Sequence, residues 1–164
     1  MTKLVFGVND VPYVTQMSAP EVRAFRWRHR KKPWQSIPSR TTTGDVAEIL
    51  ERRYHVMQTY YEVHQDDIVG ELESVLQGKL ESLLMGGPAP EALFASGDLS
   101  GVEEGFRRFL DQQEMDGRAP GVPTQAALRG VSHRFRHPYA RRGPRPSFVD
   151  TGQYRLSFRA EVQE

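Results

Sequence analysis

From Val46 to Leu84 the apolar residues recur at helical spacing, and no other feature constrains the fold as much. They stand at Val46, Ile49, Leu50, Tyr54, Met57, Tyr60, Tyr61, Ile68, Leu72, Val75, Leu76, Leu80, Leu83 and Leu84. Residues three and four apart share a face of an α-helix, so this stripe specifies both a helix and a surface to pack it on. Its phase is unbroken across His64-Gln65-Asp66-Asp67. It fits one helix of about 40 residues, roughly 60 Å long, or two helices broken near Asp66. The continuous phase and the lack of turn residues favour one long or slightly kinked helix from Asp45 to Met85, with at most one break at 64–67. Asp45 reads as the cap with Glu48 three residues on. Gly70 and Gly78 each weaken the helix by about 1 kcal/mol relative to alanine, and Gly86-Gly87-Pro88 ends it. Leu72, Leu76, Leu80 and Leu83 are expected to be buried.

The two chain ends read as extended. Leu4 to Val14 has strand character up to Pro12. At the other end Tyr154, Leu156, Phe158, Ala160 and Val162 alternate with Arg155, Ser157, Arg159 and Glu161. Alternation at period two predicts a half-buried strand. A further helix is expected from Ser100, with Glu103 in the capping-box position, through Val102, Phe106, Phe109 and Leu110 to Asp116-Gly117. Thr124 is placed to cap a short helix running to about Val131. The expected fold is α+β: a long central helix and shorter helices packed on a small, mostly antiparallel sheet, with extended arms and loops. It forms one domain over 1–164, in which 1–44 is an N-terminal strand and basic arm and 45–164 holds the helices and the C-terminal strand.

Composition narrows the function. With 164 residues the chain can bury a modest core. Its eleven prolines, fourteen glycines and 38% hydrophobic content imply long connections that are costly to order alone. There is no cysteine, so neither a disulfide framework nor a thiolate metal site is available. Met1 to Gly7 is too short for a signal-peptide core. No apolar run approaches the roughly 20 residues that span a bilayer. The expected product is soluble and intracellular, or belongs to something assembled inside a cell, and makes no use of a membrane.

The net charge of +1 hides segregation. Residues 20–32 hold Arg23, Arg26, Arg28, Arg30, Lys31 and Lys32 against Glu21 alone, and 129–145 hold six arginines and no acid. Between them, 44–116 carry sixteen acids and five bases. Either the two kinds of surface neutralise each other within one subunit, or the acidic face of one copy meets the basic segments of the next.

Candidate chemistry is sparse. Asp150-Thr151-Gly152 matches the aspartic-protease tripeptide, a chemistry that needs two carboxylates sharing a proton and hence a homodimer. Only twelve residues follow it, which leaves no room for the rest of such an enzyme, and a tight turn built on Gly152 accounts for the same letters. His133 and His137 stand four apart, but Pro138 follows and no third ligand is near. No catalytic residue, cofactor or metal is expected. The stretch Phe25 to Trp34 interleaves bases with aromatics. Arg26, Trp27, Arg28, Arg30, Lys31, Lys32 and Trp34 suit an inter-subunit arm anchored by tryptophans, or a strip that grips phosphates and stacks on bases. Arg134, Arg136, Arg141, Arg142 and Arg145 suit bidentate contact with carboxylate or phosphate.

The run Arg145-Pro146-Ser147-Phe148-Val149-Asp150-Thr151-Gly152 continues as Gln153-Tyr154-Arg155-Leu156-Ser157-Phe158. This threonine–glycine turn, with large apolar and serine positions leading into a strand, resembles a motif of tailed-phage neck and tail-completion proteins. Gly121 to Gly130 has the same character, so the resemblance covers 120–164. It implies an α+β subunit with a long helix on a sheet, without catalytic residues, that joins copies of itself in a ring at the head–tail junction. The basic N-terminal segment exceeds that pattern. The implied function is a structural virion protein of the neck, serving tail completion or acting as a connector or as a tail terminator, beside portal-side and tail proteins and within reach of packaged DNA. The other reading is a nucleic-acid-binding accessory protein using 23–32 and 129–145.

Overall fold

The computed structural model describes residues 3–11, 42–90, 92–95, 97–130, 143–149 and 152–163. The fold is α+β. The elements run β1 (Lys3–Val8), α1 (Thr43–Tyr54), α2 (Val56–Val63), α3 (Gln65–Leu84), α4 (Ser100–Asp111), α5 (Gln125–Leu128), α6 (Gln153–Ser157) and β2 (Phe158–Gln163). β1 and β2 pair antiparallel, from Lys3 opposite Gln163 to Val8 opposite Phe158.

The central stripe is three helices, where one helix with at most a single break near 64–67 was expected. At His55 the backbone turns left-handed (φ 52°). The Glu51 carboxylate then accepts from Met57 N and Gln58 N, at 2.8 and 3.1 Å, in place of helical carbonyls. A second, gentler break falls at His64, where the hydrogen bonding continues from Ile68 N to His64 O. The start also lies three residues earlier than Asp45 suggested. Thr42 is the cap, its hydroxyl accepting from Asp45 N while the Asp45 carboxylate accepts from Thr42 N, the reciprocal box that leaves Glu48 out. Just inside it Thr43 is buried; its backbone N–H donates to Val11 O at 3.0 Å, and its hydroxyl accepts from Val11 N at 2.9 Å. The exit of β1 is thereby tied to the entry of α1.

The closing alternation is only partly strand. Residues 153–157 form α6, opened by Gly152 at φ 78°, a conformation glycine adopts without strain. Leu156, expected on the buried face, is exposed, and Ser157 is buried with its hydroxyl donating to Tyr154 O. From Phe158 onward the expected alternation holds: Phe158 and Ala160 are buried and Val162 packs at the edge of the core.

The α4 helix begins at Ser100 without a side-chain cap, so Glu103 does not serve in a capping box. Its carboxylate instead takes Arg107 at 3.2 Å and Arg159 of β2 at 3.0 Å. The helix ends at Asp111, before the expected Asp116-Gly117. At α5, Thr124 caps as its sequence suggests, its hydroxyl accepting from Ala127 N; Val131 lies outside the described residues.

The core forms where α4 crosses the sheet and α2. Phe106 and Phe158 stack with centroids 3.9 Å apart, and Tyr60 packs against Phe106, Phe109 and Phe158. Tyr60 donates to Val102 O at 2.7 Å. The contact is possible because α4 carries glycine at 105, where a Cβ would stand 2.5 Å from the Tyr60 hydroxyl.

Candidate functional site

The α3 helix packs antiparallel to α4, with His64 against Glu114 at one end and Glu71 against Gly101 further along. Its second half leaves the core. Leu76, Leu80 and Leu83, expected to be buried, are 40%, 56% and 40% exposed, while Leu72 is only partly covered. Leu84 and Met85 are exposed further still. The cause is the antiparallel crossing: α4 starts opposite the middle of α3, so no helix among the described residues continues alongside its C-terminal half. Lys79 secures one flank, donating to Ala92 O, Leu93 O and the Asp98 carboxylate at 3.1, 2.7 and 2.6 Å. Hydrogen bonds from Lys79 and from Ala95 N hold the Asp98 carboxyl below the usual carboxylate range.

Where α2 and α3 meet α4 lies a cleft of about 550 Å³. His64 sits between two carboxylates there, Nδ1 3.0 Å from Asp67 and Nε2 3.0 Å from Glu114. Both contacts are hydrogen bonds at once only when both ring nitrogens carry protons. Burial pushes the Tyr60 phenol up to about 12, against the pull of Arg108 and with further push from Asp67, Glu114 and Glu71. A neutral, hydrogen-bonded tyrosine and a carboxylate-clamped histidine join α2, α3 and the end of α4. Among the described residues no group of three or more histidines and carboxylates could hold a metal ion.

Of the basic and aromatic candidates, Arg26, Trp27, Arg28, Arg30, Lys31, Lys32 and Trp34 lie outside the described residues, as do Arg134, Arg136, Arg141 and Arg142. So do Asp150, Thr151, His133 and His137. Arg145 is described and half-buried: its Nη1 donates to Val149 O at 2.6 Å and its backbone N–H to Ala127 O, clasping 143–149 to α5. Sequence reasoning missed two sets of residues: the open leucine face, because helical periodicity marks a face as apolar without saying what covers it, and the His64 clamp, because Glu114 is fifty residues away.

No protein-family model, curated protein or solved structure matches the chain. Among the described residues no helix is long and apolar enough to cross a membrane.

Proposed function

We propose that this protein is a structural virion component of a tailed bacteriophage, one of the subunits that copies of itself build into a ring at the neck. The observation that carries this reading is the open apolar face of α3. A soluble subunit rarely leaves a contiguous leucine surface uncovered unless another surface meets it. The segregated charge supports the same reading, since acidic helices and basic segments on one chain supply both halves of a head-to-tail contact, which closes into a ring when its rotation does. The motif at 145–158 directs the proposal to tail completion, a connector or a tail terminator, beside portal-side and tail proteins. Purified full-length protein, measured by light scattering and electron microscopy over a range of concentrations and with purified necks, should form closed rings or join the necks. A protein that stays monomeric and joins no particle would sink the proposal.

The acid-free basic segments favour a second reading, an accessory protein that binds nucleic acid through 23–32 and 129–145. Its signature is DNA binding by the isolated monomer that falls steeply with salt, as phosphate contacts release counterions.

A further inference from the structure

The face that α3 leaves open has a chemical character of its own. At about 100° per residue, Val69, Leu72, Leu76, Leu80, Leu83 and Leu84 fall within an arc of about 120°. Glu73 lies in that arc and Glu81 beside it, both exposed. Over Gln65–Leu84 the sequence has five acids and one base, a formal charge of −4 (1 − 5). That base, Lys79, is already held by Asp98. Two α3 helices set face to face would bring their acids together around the seam. The face therefore fits an occupant that is apolar with a cationic rim.

Residues 22–34 have that composition, with six bases, no acid, and Val22, Phe25, Trp27 and Trp34. The residues flanking the stretch 12–41 are fixed, because Val11 and Thr43 bond each other. The stretch thus leaves and returns at one point, and 22–34 stands eleven residues from Val11 (22 − 11) and nine from Thr43 (43 − 34). Extended chain of that length covers about 30–40 Å. The anchor lies where Asn9 N meets Ser157 O, next to Phe158 and its stacking partner Phe106. Met85 lies about 20 Å beyond Glu71 along α3, on the far side of the start of α4. The linker sets how far a copy's own segment can travel from that anchor, a limit that does not bind a neighbour's.

We propose, resting on the homo-oligomeric reading above, that the open face of α3 receives residues 22–34 of a second copy. The tryptophans cover the leucines, and the arginines meet Glu73 and Glu81. Two variants of the full chain test this, Leu80→Ser with Leu84→Ser on the face and Trp27→Ala with Trp34→Ala on the segment. Each should melt like the parent yet need about tenfold or more protein to assemble, the weight of one interface hot spot. Mixed, they should form a dimer, because the face of one and the segment of the other are both intact. A photo-crosslinker at position 80, in a mixture of light and heavy-isotope protein, should join residues 22–34 of the opposite isotope. If the parent forms rings and both variants do so equally well, the docking is wrong and the ring reading stands. Crosslinks confined to one copy overturn the docking. A parent that neither assembles nor crosslinks between copies overturns both.

Discussion

The α3 and α4 helices lie side by side and each carries apolar residues at helical spacing, yet they end in opposite states. In α4, Val102, Phe106, Phe109 and Leu110 are all buried. In α3, twenty residues long, Ile68 is buried while the leucines from Leu76 onward stand open. The difference is one of neighbours. The α4 helix is enclosed by Tyr60 on one side and by Phe158 and Tyr154 on the other. The α3 helix keeps its contact with α4 only along its first half. An amphipathic pattern states how much apolar surface a helix has, and topology decides how much of it the subunit covers. Uncovered remainder is surface available to a partner, so stability should be concentrated in α4 and assembly in α3.

The sharpest break of that contrast is Phe106→Ala. The side chain is fully buried between Phe158, Tyr60 and Tyr154. Its removal should cost about 3–5 kcal/mol, seen as a lower midpoint in denaturant unfolding. A loss under about 1 kcal/mol would mean that α4 is not the stabilising centre.

Next comes Gly105→Ala. On propensity alone, alanine in a helix interior gains up to about 1 kcal/mol. Here the new Cβ would meet the Tyr60 hydroxyl at 2.5 Å, and that ring is buried and hydrogen-bonded to Val102 O, so it cannot swing aside. Overpacking of this kind costs about 1–3 kcal/mol, so the net effect should be destabilising. At Gly78 an added Cβ would meet nothing within 4 Å, so Gly78→Ala in the same assay should stabilise and sets the reference.

Leu76→Ala tests the other helix. An enclosed leucine would cost about 2–5 kcal/mol on truncation. At 40% exposure Leu76 should cost the isolated subunit under about 1 kcal/mol, measured by thermal melting. A loss in the enclosed range would show that the face is already covered within one chain.

These contrasts also show how much the sequence conveyed. The extended character of the two chain ends and the apolar face of α4 were legible, because strand-forming and helix-periodic patterns are written in neighbouring residues. The boundary between α6 and β2 was not, since Tyr154 and Phe158 stand four apart and align on one face in either conformation. Only Leu156 and Ser157 distinguish the two, and a turn at Gly152 decides them. The break at His55 was hidden because a carboxylate, Glu51, substitutes for backbone acceptors that a helix reading assumes present. The leucines of α3 form one apolar face as the sequence implies, but from Leu76 onward they are not core, because their covering is not encoded nearby. Of the basic site candidates, Arg145 alone is among the described residues, and it serves there as a clasp to Val149 and Ala127.

The smallest expected effect belongs to the strap on the open half of α3. Asp98 accepts from Lys79 and from Ala95 N, each at 2.6 Å, and its carboxyl titrates below the usual range, first because of the Lys79 hydrogen bond and then the Ala95 amide. A carboxyl held low in the folded state contributes stability above its unfolded pKa, and that contribution is lost as pH falls through the folded value. Both side chains remain about a quarter exposed, so solvent screens the pair and its share of global stability is small. Asp98→Asn should therefore move the melting midpoint less than Gly78→Ala does. It should, however, raise the hydrogen-exchange rate of the Ala95 amide at neutral pH, and the parent should show the same faster opening, after correction for intrinsic exchange, only once acid has protonated Asp98. An Ala95 amide equally protected in parent and variant would show that the 92–98 stretch is held to α3 by something other than this ion pair, and the flank of the docking face would then be fixed by packing alone.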